Sequence, residues 1–288
     1  MTDPVAWSVW IDGPRSGAEN MAWDHTLALA LPENRGVLRL YRWIRPTLSL
    51  GRNEPARDVF DPGRLQAAGI DLVRRPTGGR SVLHHHELTY AVVAPIRALG
   101  GVRAAYALVN HGLAAGLAAW GVEVGLARGE AALKPDAGAC FQGPANGEVV
   151  AGGRKLVGSA QVRVGGVLLQ HGSILLRDDQ ARIATFRRAD GTPSGPPTPG
   201  ACAPRDRSPE TNEAGVGVRA AAALEDLLGR SVAPGEVAAS VIQGLQGALP
   251  GNWRPVTAGH SLEEVDLPAA PAPELLERYR SPDWSWRR

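Results

Sequence analysis

The chain has 288 residues, with 31 lysines and arginines against 29 acidic residues, a formal charge of +2 and a hydrophobic fraction of 44%. Dispersed, nearly balanced charge leaves no electrostatic footprint for nucleic acid or a membrane surface as the main partner, and no run of about 18 apolar residues marks a spanning helix. Two cysteines far apart, Cys140 and Cys202, make neither a disulfide framework nor a CxxC metal pair. Together with a start, MTDPVAWSVWIDG, that lacks the charged and apolar regions of a signal peptide, this points to a reducing cytoplasm.

Residues 18–31 (AENMAWDHTLALAL) have helical character and stop at Pro32, whose missing N–H cannot continue a helix. Residues 36–51 alternate charged and apolar side chains with aromatics, the period of a strand, broken once at Pro46. Residues 70–74 and 81–94 read as strands flanking a Pro-Thr-Gly-Gly turn. Val102, Tyr106, Val109, Leu113, Leu117 and Trp120 then recur at helical spacing until Gly121. Residues 188–217, rich in proline, glycine and polar side chains, have little to bury and read as a long linker carrying Cys202. Beyond it, 218–249 and 273–279 read as helices, giving a catalytic part over 1–187 and a small helical C-terminal part over 218–288 that packs on it.

The stretch 147–176, GEVVAGGRKLVGSAQVRVGGVLLQHGSILL, sets Lys155 among glycine-rich hairpins a short distance after Cys140. A thiol is a nucleophile only as the thiolate, and a neighbouring ammonium favours that form, so the pair is equipment for moving an acyl group. Standing alone, a cysteine such as Cys140 is more often a small buried hydrophobe than a nucleophile. The segment RRPTGGRSVL places two glycines between arginines, where successive N–H groups can cradle an oxyanion, or where an ordinary hairpin simply turns. Its spacing is neither GxxxxGK[ST] nor GxGxxG, so no nucleotide loop is supported. His84, His85 and His86 invite a zinc reading. Alternation along a strand, however, would let at most His84 and His86 meet one ligand, and acidic or thiol partners at fixed offsets are missing, so no metal site is assigned. His171, in an apolar stretch, reads as a structural donor or a functional group.

In order along the chain, ENMAWDHTLAL, PTLSLGRN, RRPTGGRSVLHHHELTYAV, GRKLVGSAQVR, LLQHGSILL and LLERYRSPDW resemble the superfamily of lipoate-protein ligases and octanoyltransferases, which also includes biotin-protein ligases. Within it the chain is most similar to the cysteine-dependent octanoyltransferases of the LipM type, which carry a Cys-Phe pair, here Cys140 and Phe141, ahead of the GRKxxGSAQ block. ATP-using lipoate ligases tend to have a third glycine where Arg80 stands. The resemblance implies an α/β (α+β) fold with a mixed, largely antiparallel sheet and packed helices. It implies transfer of octanoate from octanoyl-acyl-carrier protein to a lysine of apo lipoyl domains, such as the glycine cleavage H protein or a 2-oxoacid dehydrogenase E2, by a cytoplasmic monomer with no cofactor. On this resemblance Cys140 is the acyl-thioester nucleophile and Lys155 the cation beside it. Arg74, Arg75, Thr77, Gly78, Gly79, Arg80 and His84 line the acyl and carbonyl pocket, facing Gly158, Ser159, Ala160, Gln161, His171, Gly172 and Ser173. One departure is visible: the family usually has aspartate after the first histidine, and this chain has His85. An amidotransferase using an octanoyl-lipoyl domain as donor and an ATP-dependent lipoate-protein ligase are the alternatives on the same fold; a non-enzymatic acyl-binding module would have no use for Cys140 and Lys155.

Overall fold

The computed structural model describes residues 4–128, 140–188, 220–255 and 266–287. Nearly all of the expected linker, Cys202 included, lies outside the described residues.

Strand β1 (Ala6–Arg15) leads into α1 (Gly17–Ala30), whose start is set by a reciprocal cap. The Ser16 hydroxyl accepts from the Glu19 N–H at 3.3 Å while the Glu19 carboxylate accepts the Ser16 N–H at 3.0 Å. The helix ends before Pro32, as its missing N–H requires. Next come β2 (Arg35–Trp43) and β3 (Thr47–Leu50) on either side of Pro46, then α2 (Pro62–Ala67) and β4 (Asp71–Arg74), β5 (Val82–His84) and β6 (Glu87–Pro95). After α3 (Val102–Ala119) lie β7 (Gly125–Leu126), β8 (Val149–Ala151), β9 (Arg154–Lys155), β10 (Val157–Val164) and β11 (Val167–Leu175). The C-terminal part holds α4 (Leu224–Leu228), α5 (Pro234–Ala248), β12 (Asn252–Pro255), α6 (Pro273–Arg280) and α7 (Pro282–Ser285).

The main sheet has six strands in the order β10-β11-β6-β2-β1-β12. It is antiparallel from β10 to β2 and parallel across β2, β1 and β12. Helices cover both faces, which is why β6 reads as an almost continuous apolar run. Its Leu88, Tyr90, Val92 and Ala94 face a core shared with α3 and α5, while Ala91 and Val93 join Trp23 and Leu27 of α1 on the other face. Two three-stranded sheets, β4-β3-β5 and β7-β8-β9, flank it. This is the mixed sheet with packed helices that the resemblance implies.

Three local expectations are revised. First, β4 and β5 do not pair with each other. Both pair with β3, one parallel and one antiparallel, so the glycine turn bridges two strands separated by a third. Second, the single strand expected over 81–94 is two. The chain bends at His85 and His86, leaving β5 in a small sheet and β6 in the main one. Third, the C-terminal part contributes a strand as well as helices, since β12 pairs with β1. Its alanine run is extended up to Ala223 because Ala222 donates its N–H to the Lys155 carbonyl at 2.9 Å. Helix α5 packs Val237, Val241 and Leu245 into the core with α3, and α6 packs Leu275 and Tyr279 against α1. Among the described residues, no helix is long and apolar enough to cross a membrane.

Candidate active site

The position of Lys155 follows from a tight hairpin. Strands β8 and β9 are joined by Gly152 and Gly153 with φ of 55° and 70°, the two positive values of a type I′ turn that glycine adopts without strain. This registers Lys155 opposite Val150 with its side chain buried. Its Nζ lies 2.7 Å from Glu148 Oε1, 3.1 Å from the Cys140 carbonyl oxygen and 3.3 Å from Cys140 Sγ, so the three ammonium donors all have acceptors. Burial alone would favour the neutral amine. The opposing charges at Cys140 and Glu148, with their hydrogen bonds, outweigh it and hold Lys155 above its ordinary range, protonated.

Cys140 opens a short 3-10 turn, Cys140–Gln142. Its N–H bonds the Ser81 carbonyl at 3.0 Å, and its carbonyl accepts from Arg80 at 3.4 Å. The Phe141 ring beside it packs over Gly158, where a Cβ would stand 2.8 Å from the ring and 3.3 Å from Lys155 Cε. A side chain there would push the thiol's neighbours out of place. Cys140 and Phe141 thus sit against the Lys155 hairpin, and Cys140 is the one cysteine among the described residues.

The sulfur opens onto a cleft with an apolar wall formed by Met21, Tyr41, Trp43 and Val82. Of the residues singled out from sequence, Arg75, Gly79, His84, Gly158, Ser159, Ala160, His171, Gly172 and Ser173 line this cleft with Cys140. The opposite wall is the β10–β11 hairpin, whose register sets Gly158 against Ser173, Ser159 against Gly172 and Ala160 against His171. Arg74, Thr77, Gly78, Arg80 and Gln161 stand outside the lining. Arg80 donates to the Cys140 carbonyl at 3.4 Å. Arg74 is fully buried and clamps backbone: its guanidinium donates to the carbonyls of Gly51 and Glu54 on one side and of Trp284, Ser285 and Arg287 on the other. Arg75 holds the glycine turn by donating to the Gly78 and Arg80 carbonyls and to Ser49. Thr77 is bonded behind the lining to His171.

Two buried carboxylates that sequence reading missed organise the cleft's histidines. Asp24, on α1, accepts from Arg39 at 2.7 Å, from Tyr41 Oη at 2.8 Å and, through Oδ2, from His171 Nδ1 at 2.9 Å. The carboxylate, an acceptor, calls for the proton on Nδ1, burial favours the neutral ring, and His171 Nε2 lies 2.7 Å from the Thr77 hydroxyl. Glu87 Oε1 sits 2.7 Å from His84 Nδ1 and accepts from Thr89 and Ser173, while the His84 ring stacks on Trp43 at 4.0 Å. Asp24 lies inside a predicted apolar helix and Glu87 inside ELTY. The partners of Asp24 are 15 to 147 residues away, beyond any local spacing, whereas Glu87 stands three residues from His84 across the bend. Glu148, seven residues before Lys155, was within reach of a hairpin argument.

These groups make acid stability predictable in sign. Burial keeps His171 below its ordinary 6.5 despite the nearby Asp24 carboxylate, so in that window the unfolded chain binds more protons than the folded one. Burial also opposes ionisation of Asp24, but the bonds from His171 and the Arg39 charge more than offset it and hold the carboxyl below 3.8. Both contributions are complete above the unfolded values and are lost as pH falls. Urea midpoints should therefore decline from about pH 6.5 downward and again below pH 3.8. His171→Asn should shallow the first decline without abolishing it, since His25 and His86 are shifted down as well. An unchanged slope in that variant would remove His171 from the account.

The histidine run departs from strand alternation. His84 turns inward to Glu87, while the rings of His85 and His86, beyond the end of β5, lie 3.6 Å apart beside Asp179.

Comparisons with known proteins converge. The lipoyl protein ligase A/B catalytic domain family matches residues 16–246. A protein of Kyrpidia tusciae named octanoyltransferase LipM is 38% identical over 298 residues, covering 98% of this chain and 99% of that one. Its namesake from Exiguobacterium sibiricum is 34% identical with the same coverage. The one from Carboxydothermus hydrogenoformans is 44% identical over 173 residues, 58% of this chain and 64% of that one. Among solved structures, a lipoate-protein ligase A bound with ATP superposes with a TM-score of 0.70 at 19% identity, covering 98% of this chain and 99% of that one. A bi-partite lipoate protein ligase from Thermoplasma acidophilum gives 0.66 at 18%, covering 99% and 97%. At such identities the structural likeness speaks for the fold.

Proposed function

The chain belongs to the lipoyl protein ligase A/B catalytic domain family, and on that premise we propose that it is an octanoyltransferase. It would move octanoate from octanoyl-acyl-carrier protein through a Cys140 thioester to a lysine of an apo lipoyl domain. The observation that carries this reading is the 3.3 Å contact between Cys140 Sγ and Lys155 Nζ beside an apolar-walled cleft.

In the first half-reaction the Cys140 thiolate attacks the donor's thioester carbonyl, forming a tetrahedral oxyanion. Its collapse breaks the bond to the pantetheine sulfur, which leaves and takes up a proton. In the second, the neutral amine of the acceptor lysine attacks the new thioester, the C–S bond breaks, and the nitrogen's extra proton is lost to solvent. Atoms balance without ATP, metal or redox partner. Lys155, protonated and fixed by Glu148, steadies the thiolate each time it forms. Gly79 of the glycine turn that Arg75 holds lines the cleft and is the turn's candidate to supply an amide dipole to the oxyanion. Met21, Tyr41, Trp43 and Val82 offer the acyl chain an apolar wall, worth about 0.8 kcal/mol per methylene buried. The relatives named octanoyltransferase support octanoyl transfer as the reaction.

ATP dependence separates this reading from a ligase. With octanoyl-acyl-carrier protein and an apo lipoyl domain such as the glycine cleavage H protein, amide formation should proceed in the absence of ATP. Strong transfer from free octanoate that requires ATP and is indifferent to Cys140→Ser would place the chain among the ligases. Replacing the donor by an octanoylated lipoyl domain tests the amidotransferase alternative, which uses the same thiol chemistry.

A further inference from the structure

We propose that His85, His86 and Asp179 form a site for a divalent transition-metal ion of the zinc class, separate from the transfer chemistry. Each of the three residues offers one ligand atom, and these atoms all lie within 4.8 Å of one another, close enough for small side-chain rotations to bring them onto one ion. Two imidazoles and one carboxylate are a donor set suited to a borderline cation such as Zn²⁺, and the carboxylate supplies a negative charge against the ion's two positive ones. The three residues are only partly buried, so water can complete the coordination.

The ligands are held in place before any ion arrives. His85 and His86 occupy the bend between β5 and β6, and Asp179 follows β11. Gln180, next to Asp179, locks that segment onto β5 by accepting the Leu83 N–H at 3.0 Å and donating to the Leu83 carbonyl at 2.7 Å. The N–H groups of Leu176 and Arg177 both donate to the His86 carbonyl. Ligands from two segments already joined in this way lose little freedom on binding.

The polar bookkeeping also points to an ion. Asp179 Oδ1 is buried and has no hydrogen-bond partner, an uncompensated acceptor on one of the three ligands. The other oxygen, Oδ2, lies 2.8 Å from His85 Nδ1, a contact an ion would replace. Two cations compete: Arg182, 43% exposed, lies 3.5 Å from Asp179 Oδ2, and the Arg177 guanidinium lies 2.8 Å from His86 Nδ1. That side chain is 57% exposed and has Glu225 as a second partner at 3.5 Å, so moving it aside costs little. A bound ion would tie the β5–β6 bend, on which His84 and Glu87 stand, to the segment after β11.

The test uses untagged, full-length protein stripped with a chelator. Zn²⁺ binding followed by calorimetry should give one ion per chain at micromolar affinity, and Co²⁺ in its place should show visible absorption from nitrogen and oxygen ligands. His85→Gln and Asp179→Ala should each weaken binding at least tenfold, Cys140→Ala should leave it intact, and Arg177→Ala should tighten it. Circular dichroism establishes that the variants are folded. No binding by the wild type at micromolar zinc, or binding that survives both ligand substitutions in folded protein or is lost with Cys140, overturns the proposal. Octanoyl transfer by the stripped enzyme reports on the transfer reading separately, since that chemistry uses no ion.

Discussion

Intact wild-type protein incubated with octanoyl-acyl-carrier protein is expected to gain one octanoyl mass, and Cys140→Ala to gain none. Among the described residues no second cysteine exists to take the group. Lys155, the nucleophile nearest the sulfur, is tied up as an ammonium by Glu148. Removing a covalent nucleophile removes the pathway rather than weakening it, so steady-state transfer to a lipoyl domain should fall on the order of 10³-fold or more. Binding of the donor should persist, because the apolar wall does not include the sulfur. An adduct of unchanged size on Cys140→Ala, confirmed by peptide mapping at another residue, would end the assignment of Cys140.

The second large effect concerns the Glu148–Lys155–Cys140 row. Charge-assisted hydrogen bonds are worth about 1.5–3 kcal/mol, so loss of the ammonium should slow alkylation of Cys140 by iodoacetamide at pH 7 by roughly 10- to 150-fold. At pH 9 the difference should narrow, because hydroxide then does the work of the missing cation. Lys155→Met alone is an impure test, however. It strands the buried Glu148 carboxylate without its partner, a change that costs about 3–5 kcal/mol when a buried pair is broken. The clean comparison is Lys155→Met with Glu148→Gln, which leaves the site neutral. Glu148→Gln alone should react no more slowly than wild type, since it leaves the sulfur as the ammonium's main anionic partner. Lys155→Arg should rescue in part, keeping charge but changing shape. Equal alkylation profiles for wild type and the double variant would make Lys155 a substrate contact and not a partner of the nucleophile.

What could be read in advance follows the range of the interactions. The stop of α1, the α3 periodicity and the alternation in β2 are local patterns, and each appears where its spacing puts it. Cys140 and Lys155 were legible because fifteen residues with two hairpin glycines leave little freedom in where the chain returns. Asp24 was not, since its meaning depends on Arg39 and His171 reaching it from two strands of the sheet. Arg74 and Arg75 are adjacent and look alike in sequence. One holds the glycine turn beside the cleft and the other faces away from it, a difference set by the pairing of β3 with β4. The histidine run misled in a physical way: alternation holds only while a strand continues, and β5 ends at His84.

The Arg74 clamp has a temporal consequence. Three of its acceptors lie 210 to 213 residues downstream, at Trp284, Ser285 and Arg287, and the Trp284 indole returns a bond to the Arg74 carbonyl. During synthesis the strand that leads into the glycine turn therefore emerges with a guanidinium whose upstream acceptors, Gly51 and Glu54, exist already and whose three downstream ones have not yet been made. Contacts of such separation close late, after the local hairpins and helices have formed. A nascent chain stalled before residue 284 would present the Cys140 and Lys155 segments while the downstream half of the Arg74 clamp was still missing. Acylation competence would then be among the last properties the growing polypeptide acquires.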